Sequence, residues 1–198
     1  MANNNIINSM NTMSLDDPIE PERNKSRKDY LKWNDYFMAL AFLAAQRSKD
    51  PCTQVGACIV NSDNRIVGMG YNGMPTGCDD NEFPWGKSDS NINHKSFYVC
   101  HAEMNAVLNK NSYDLKNCRI YVGLFPCNEC AKVIIQSGIR EVIYLSDRKA
   151  HKLSTQASKR MFDASGVKYW QYTPEKSKIV IDFSQDMNSS NQIIEEKE

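Results

Sequence analysis

The sequence lacks any apolar run long enough to cross a membrane. Its longest mainly apolar stretch, residues 36–45, has ten residues, whereas a transmembrane helix needs about 20. The first twelve residues show no basic start followed by an apolar block, so we expect no secretory signal there. These absences predict a protein with no membrane partner.

The chain also lacks an excess of either charge, because 24 Lys and Arg are balanced by 24 Asp and Glu. Proteins that bind nucleic acid rely on Lys and Arg to neutralise phosphates. The neutral composition therefore argues against a dedicated nucleic-acid-binding protein, and we expect no nucleic-acid partner. A single small nucleotide needs only a few local cations and is compatible with this composition.

Disulfides are not expected, although the chain has seven cysteines. Their number is odd, their positions are scattered and no export signal accompanies them. This pattern indicates reduced thiols in a cytosolic or nuclear setting, of which we expect the cytoplasm, and favours metal binding over a disulfide framework.

Composition divides the chain into three parts. Residues 1–25 are rich in Asn, Asp, Glu, Lys and Pro and poor in large apolar residues, which predicts a disordered N-terminal extension. Residues 184–198 are similarly polar and are predicted to form a flexible tail. The remaining residues, 26–183, are predicted to form one globular domain.

Helical and strand patterns alternate within this domain, which predicts an α/β layered fold. The predicted helices are 30–48, 102–110, 128–137 and 154–164, with Trp33, Phe37 and Phe42 in the core. The predicted strands are 55–61, 66–71, 119–124, 141–145 and 167–172, with a further edge at 179–183. A hairpin turn at 62–64 makes the sheet mixed rather than parallel. The long polar loop 75–96 is typical of a functional or mobile segment.

Two short motifs carry the chemistry of the sequence. The first contains His101 and Glu103, and the second is a Pro-Cys-x-x-Cys segment with Cys127 and Cys130. Both cysteines lie on one face at the start of a predicted helix, so their sulfurs can converge on one ion. His101 supplies a third ligand and leaves a fourth position for water. Glu103 can face the same ion only if His101 precedes the regular helix.

Together the motifs form the H-x-E and P-C-x-x-C signature of zinc-dependent deaminases, in which the Glu moves protons and does not bind the metal. Zinc lowers the pKa of a coordinated water, and Glu103 would carry protons from this water to the cytosine ring and the departing amine. A structural zinc site or a redox cysteine pair are the alternatives for Cys127 and Cys130. Neither alternative gives a role to the adjacent Glu103.

Further segments narrow the resemblance to one family. They are Gln46 to Pro51, Val55 to Val60, Gly70 to Pro75, Cys100 to Glu103 and Leu124 to Lys132. With these segments, residues 30–183 resemble the animal-type deoxycytidylate deaminases of the cytidine and deoxycytidylate zinc-deaminase family.

The resemblance implies a three-layer cytidine-deaminase-like fold, with a mixed five-stranded sheet flanked by helices. It implies hydrolysis of dCMP to dUMP and ammonia, which would supply dUMP for thymidylate synthesis. It also implies a homohexamer that dCTP with magnesium activates and dTTP inhibits. By the same resemblance, Asn72 would bind the substrate sugar. The nucleotide or allosteric candidates are Arg47, Lys49, Gly70 and Gly73.

Several alternatives stay open at this stage. Asn72 could be an ordinary turn residue, and Arg47 and Lys49 a solvated helix end. The substrate could be cytidine, dCTP or a polynucleotide, and the chain could be a scaffold without catalysis. Some phage relatives hold a second zinc, for which the candidates by residue type are Cys52, Cys78, Cys100 and His94. Their spacing fits no zinc pattern, so we predict one zinc ion per chain.

Overall fold

A computed structural model describes residues 25–87 and 92–184. The chain divides into two units, Met1–Leu31 and Lys32–Glu198. In the first unit the described residues form no helix or strand, and Arg27 Nε lies 3.0 Å from Asp29 Oδ1. The extension 1–25 and the tail 184–198 fall almost wholly outside the described residues, so the predicted domain boundaries remain predictions.

The second unit is built on a five-stranded sheet in the order β2-β1-β3-β4-β5. The strands are β1 (Gly56–Val60), β2 (Ile66–Tyr71), β3 (Arg119–Leu124), β4 (Glu141–Ser146) and β5 (Lys168–Gln171). Strand β1 pairs antiparallel with β2 and β3, whereas β3, β4 and β5 are parallel. The predicted mixed five-stranded sheet is therefore confirmed.

Four helices cover the two faces of this sheet. They are α1 (Trp33–Ala45), α2 (Ala102–Leu108), α3 (Asn128–Gln136) and α4 (Leu153–Ser165). Side chains alternate along each strand, so Cys58 and Ile143 pack with α1 while Ile59 and Val142 pack with the other helices. The result is the predicted three-layer arrangement, with one core on each side of the sheet.

Two glycines let helices lie directly on strands. A Cβ atom at Gly56 would lie 1.9 Å from the carbonyl oxygen of Ala41 in α1. A Cβ atom at Gly70 would lie 2.3 Å from the backbone nitrogen of Ala106 in α2. Only glycine permits such close backbone contact, so Gly70 sets how α2 sits on β2.

The strand directions gather the chain's chemistry at one edge of the sheet. Since β1 runs opposite to β3, the start of β1 lies beside the end of β3, and Ala57 is paired with Val122. The ends of β2 and β4 lie at this same edge, because Gly56 is paired with Tyr71 and Leu124 with Ser146. We call it the carboxyl edge of β3.

Three predictions about elements are wrong in detail. Residues 179–183 form no strand, and α1 is three residues shorter at each end than predicted. Trp33 and Phe42 were expected in the core but are 57% and 47% exposed, whereas Phe37 is fully buried. The reason is that α1 packs on the sheet by one face only, and an aromatic residue on its other face stays exposed.

In the described residues, no helix has the length and apolar character that a membrane span requires.

Candidate metal centre

Two helices begin at the carboxyl edge of β3, and each begins at a predicted metal ligand. His101 is the N-cap of α2 and has extended backbone angles, φ −71° and ψ 158°. Cys127 is the N-cap of α3 and is also extended, with φ −76° and ψ 175°. The expected placement of His101 ahead of the regular helix is confirmed.

The three predicted ligands converge at this point. His101 Nδ1 lies 3.3 Å from the Cys130 sulfur and 3.4 Å from the Cys127 sulfur. The three ligand atoms all lie within 4.8 Å of one another. Tetrahedral zinc, with bonds of about 2.1 Å to nitrogen and 2.3 Å to sulfur, would separate these atoms by roughly 3.6 Å. The donor set and its spacing therefore fit a zinc ion with three protein ligands.

The environment of the site differs from ligand to ligand. Cys130 is buried, Cys127 is half-buried and His101 reaches the surface, so the cluster is open on the histidine side. A hydrogen bond with Cys130 lowers the pKa of Cys127 to about 3, and the same contact together with burial raises the pKa of Cys130. The hydrogen bond with Cys127 raises the pKa of His101. Zinc binding requires both thiols to lose their protons and the His101 ring to be neutral.

Glu103 lies beside this cluster and is only 5% exposed. Burial raises the pKa of its carboxyl group, while the neighbouring His101 opposes that rise. A buried carboxyl with a raised pKa holds and releases protons more readily near neutral pH than an exposed one. This property suits the predicted proton-carrying role.

Backbone hydrogen bonds fix the start of α2 against the end of β2. The amide of Gly73 donates to the Cys100 carbonyl at 3.1 Å, and the amide of Cys100 donates to the Gly73 carbonyl at 2.9 Å. Asn105 Nδ2 donates to the carbonyl of Tyr71 at 2.8 Å. His101 thus follows directly after a residue that is held by two bonds.

Comparison with known proteins identifies the family. A family model described as the cytidine and deoxycytidylate deaminase zinc-binding region matches residues 31–146. The chain belongs to this family of deaminases. The three converging ligands lie within the matched residues.

Curated relatives within this deaminase family carry consistent names. The chain is 59% identical over 160 residues to the human deoxycytidylate deaminase, covering 80% of this chain and 90% of the relative. It is 56% identical over 169 residues to a probable deoxycytidylate deaminase of Drosophila melanogaster, covering 82% and 83%. A solved dCMP deaminase from cyanophage S-TIM5, in complex with dCMP and dUMP, has a TM-score of 0.56 at 25% identity. It covers 72% of this chain and 100% of that structure.

Asn72, the predicted sugar contact of this deaminase, is buried at the same edge of the sheet. Its Oδ1 accepts a hydrogen bond from the backbone amide of Val55 at 2.8 Å. Its Nδ2 donates hydrogen bonds to the Thr53 carbonyl oxygen at 3.0 Å and to Asp50 Oδ2 at 3.3 Å. Its backbone is not left-handed, so the simple turn explanation is wrong. Its contact with the sugar stays a prediction.

The other nucleotide candidates of this deaminase are already engaged with protein. The Arg47 guanidinium lies 6.0 Å from the ring centre of Tyr71, and Lys49 forms an ion pair with Asp80. Gly70 makes the close contact with α2, and Gly73 makes the bridge to Cys100. None of these interactions has a zinc ligand as its partner. The nucleotide roles of the four residues stay predictions.

Sequence reasoning missed a buried ion pair at the site. Asp50 is 3% exposed, and its two carboxylate oxygens accept hydrogen bonds from Lys95 Nζ at 2.7 and 2.6 Å. The carboxylate also accepts hydrogen bonds from the backbone amides of Cys52 and Thr53. It also accepts a hydrogen bond from Asn72 Nδ2, so the Asp50–Lys95 pair connects the loop before α2 to the edge of the sheet. The two residues are 45 positions apart, and nothing in their local pattern indicates the pairing.

The candidates for a second zinc do not assemble. Among residues 25–87 and 92–184, the ligand atoms of Cys52, Cys78, Cys100 and His94 form no cluster comparable to the first. One zinc ion per chain stays a prediction.

Proposed function

We propose that this chain is a zinc-dependent hydrolase that converts dCMP and water to dUMP and ammonia. The observation that carries the proposal is the cluster of His101, Cys127 and Cys130 beside the buried carboxyl of Glu103. Two comparisons support the choice of substrate. Relatives at 59% identity are named deoxycytidylate deaminase, and the cyanophage neighbour was solved with dCMP and dUMP.

The residues divide the chemistry between them. His101, Cys127 and Cys130 would hold zinc, which lowers the pKa of a bound water towards neutrality. Glu103 takes a proton from the attacking water and delivers it to ring nitrogen N3, which makes C4 electrophilic. A C4–O bond forms and the C4–N bond breaks. Glu103 then takes the remaining proton from the new C4 hydroxyl group and gives it to the exocyclic amine, which leaves as ammonia while C4 becomes a carbonyl.

Ammonia release tests this proposal directly. Purified, zinc-loaded protein is supplied in parallel with dCMP, dCTP, deoxycytidine and CMP. We expect dCMP to be deaminated with the highest kcat/KM. Bound zinc without ammonia release from any of the four substrates would reject the proposed reaction.

We also propose the regulation and assembly that the family resemblance implies. The enzyme would work in the cytoplasm as a homohexamer, supply dUMP for thymidylate synthesis, and respond to dCTP with magnesium as activator and to dTTP as inhibitor. The high identity to named deoxycytidylate deaminases supports this extension. Sedimentation velocity tests the assembly, and initial rates with and without each triphosphate test the regulation.

A further inference from the structure

The side-chain amide of Asn72 has only one hydrogen-bonding position left for a ligand. A side-chain amide offers two N–H donors and two lone pairs on its oxygen. Both donors of Asn72 are used, by Asp50 Oδ2 at 3.3 Å and by the Thr53 carbonyl oxygen at 3.0 Å. One lone pair of its Oδ1 is used by the backbone amide of Val55 at 2.8 Å. Among the described residues nothing takes the second lone pair, so Asn72 can only accept a further hydrogen bond.

The partners of Asn72 also fix which way its amide points. If the amide were flipped end for end, its oxygen would face the Asp50 carboxylate and the Thr53 carbonyl. Its NH2 group would face the backbone amide of Val55. Each hydrogen bond would become a contact between two acceptors or between two donors. Such contacts are most unfavourable where water is excluded, and Asn72 is only 5% exposed.

Asp50 is the charged partner of Asn72, and Lys95 holds it in place. Lys95 Nζ lies 2.7 and 2.6 Å from the two carboxylate oxygens of Asp50. The Lys95 side chain is 12% exposed and that of Asp50 is 3% exposed. The backbone amides of Cys52 and Thr53 donate to Asp50 Oδ1, which leaves Oδ2 to face Asn72. A charged acceptor forms the stronger hydrogen bonds, so Asp50 is well suited to orient the amide.

Two residues that bind the Asn72 amide line a cavity of about 220 Å³. They are Thr53 and Val55, and Leu124 lines the same cavity. Leu124 is the last residue of β3 and lies three positions before the predicted zinc ligand Cys127. The cavity therefore lies at the carboxyl edge of β3, beside both the metal centre and the residues that hold Asn72.

We propose that Asp50, with Lys95 as its counter-ion, is a positioning residue that keeps Asn72 as a hydrogen-bond acceptor, so that the site selects a substrate with a free sugar hydroxyl group. This inference rests on the proposed function and on the predicted contact of Asn72 with the sugar. In dCMP the 5′ oxygen carries the phosphate and the 2′ carbon carries no oxygen, so the 3′-hydroxyl is the one sugar donor. An internal nucleotide of a polymer has no 3′-hydroxyl group, and the arrangement therefore favours a free mononucleotide.

Nucleotides altered at the 3′ position test the acceptor role in the wild type. Calorimetry on the zinc-loaded full chain compares dUMP with its 3′-fluoro and 3′-amino analogues, because fluorine cannot donate a hydrogen bond and an amino group can. We expect the 3′-fluoro analogue to bind about tenfold or more weakly than dUMP, and the 3′-amino analogue to bind more tightly than the 3′-fluoro one. Equal affinities for dUMP and the 3′-fluoro analogue, or weakest binding of the 3′-amino analogue, would overturn the inference.

A double variant tests whether Asp50 acts through Asn72. Asp50→Asn is combined with Lys95→Met, so that neither charge is left buried alone. The amides of Cys52 and Thr53 would keep the oxygen of the new side chain, and its NH2 group would then face Asn72 and favour the flipped amide. We expect the preference for dUMP over its 3′-fluoro analogue to fall to less than about threefold.

Two further variants complete this test. Asn72→Ala should lose the same preference, and its combination with the double variant should lose no more. The matched control is Asp35→Asn, which changes another buried aspartate at the start of α1, where its partner is the Tyr172 hydroxyl. This control should keep the wild-type preference. Each preference is a ratio of two affinities for one preparation, so a loss of folded protein alone does not alter it.

The outcomes separate this inference from the proposed reaction. A double variant that keeps the wild-type preference would reject the positioning role of Asp50. If ammonia is released from dCMP and from its 3′-fluoro analogue with equal kcat/KM, the inference is wrong and the deaminase stands. If no substrate releases ammonia but the binding preference exists and is lost in the double variant, the positioning role stands and the reaction is wrong.

Discussion

At the scale of single residues, Glu103 is a carboxyl group in a place that disfavours its charge. It is buried beside three metal ligands, and burial raises its pKa. No ion pair among the described residues neutralises its carboxylate, so its ionisation depends on burial and on the neighbouring metal ligands. We infer that the site keeps this group as a proton carrier rather than as a fixed charge.

Replacing Glu103 with Gln should separate metal binding from catalysis. We expect Glu103→Gln to keep zinc and to lose turnover by about 10²- to 10⁴-fold, the usual contribution of a general acid–base group. Zinc content and ammonia release from dCMP are measured on the same preparation. The matched control is Glu129→Gln, because Glu129 lies between the two cysteines but is exposed and bound to Lys132. A Glu103→Gln enzyme within tenfold of the wild type would contradict the role.

The Asp50–Lys95 pair should give the fold a measurable acid dependence. Burial raises the pKa of Asp50, but hydrogen bonds from Lys95 and from two backbone amides lower it, and the net direction is downward. The pair therefore stabilises the fold above the unfolded pKa of about 3.9, and this stabilisation is lost as the pH falls through the folded value.

Asp50→Asn tests this linkage. Because it leaves the largely buried ammonium group of Lys95 without its partner, it should destabilise the protein by roughly 3–5 kcal/mol at pH 7. The difference from the wild type should begin to shrink below about pH 4, where Asp50 becomes protonated in the unfolded chain, and should vanish once the pH falls below the lowered pKa of folded Asp50. Urea unfolding at pH 7 and at a pH below about 4 measures the stability difference between Asp50→Asn and the wild type. The control is Asp63→Asn, which changes an exposed carboxylate. An equal difference at both pH values would show that charge is not the cause.

At the scale of elements, the position of α2 depends on the absence of a side chain in β2. Gly70→Ala would place a methyl group 2.3 Å from the Ala106 nitrogen and 2.4 Å from the Ala102 carbonyl oxygen. These are backbone atoms of the helix that follows His101, so the helix must move. We expect a loss of roughly 1–3 kcal/mol in stability and weaker zinc binding.

The control for this substitution is Gly86→Ala, where an added methyl group meets no atom within 4 Å. Chemical denaturation gives the stability of both variants, and competition with a zinc-sensitive dye gives their affinity for the metal. If Gly70→Ala binds zinc as tightly as Gly86→Ala, the packing of α2 on β2 does not control the affinity of the site for zinc.

Elements were more predictable than the contacts between them. Strands 66–71 and 119–124 were placed correctly because their apolar patterns and turn residues are local signals. The ligands His101, Cys127 and Cys130 were found because two short motifs reveal them without knowledge of the fold. The Asp50–Lys95 pair could not be found in this way, since it depends on which loops meet at one edge of the sheet.

At the scale of the whole molecule, the zinc ion should contribute to stability as a ligand that binds only the folded state. Its ligands come from the N-termini of α2 and α3, so the metal joins two segments on either side of β3. Zinc at 1,000 times its dissociation constant would stabilise the fold by about 4 kcal/mol.

Removal of the metal should therefore lower the melting temperature. We expect a chelator to lower the Tm of the wild type and of the exposed-cysteine control Cys52→Ser by the same amount. Cys127→Ser should melt early with or without the chelator. Differential scanning calorimetry provides the comparison, and a wild-type Tm that does not respond to complete zinc removal would contradict a linkage between metal and fold.

Both helices that begin at a zinc ligand run away from the metal, so the connection between α2 and β3 lies at the opposite edge of the sheet. Tyr113 in this connection is 99% exposed. Exposed loop positions tolerate inserted sequence. A biotin-acceptor peptide spliced in at Tyr113 would anchor the protein to a sensor surface with its zinc edge facing the solution, so that nucleotide binding could be followed on oriented, uniformly accessible molecules.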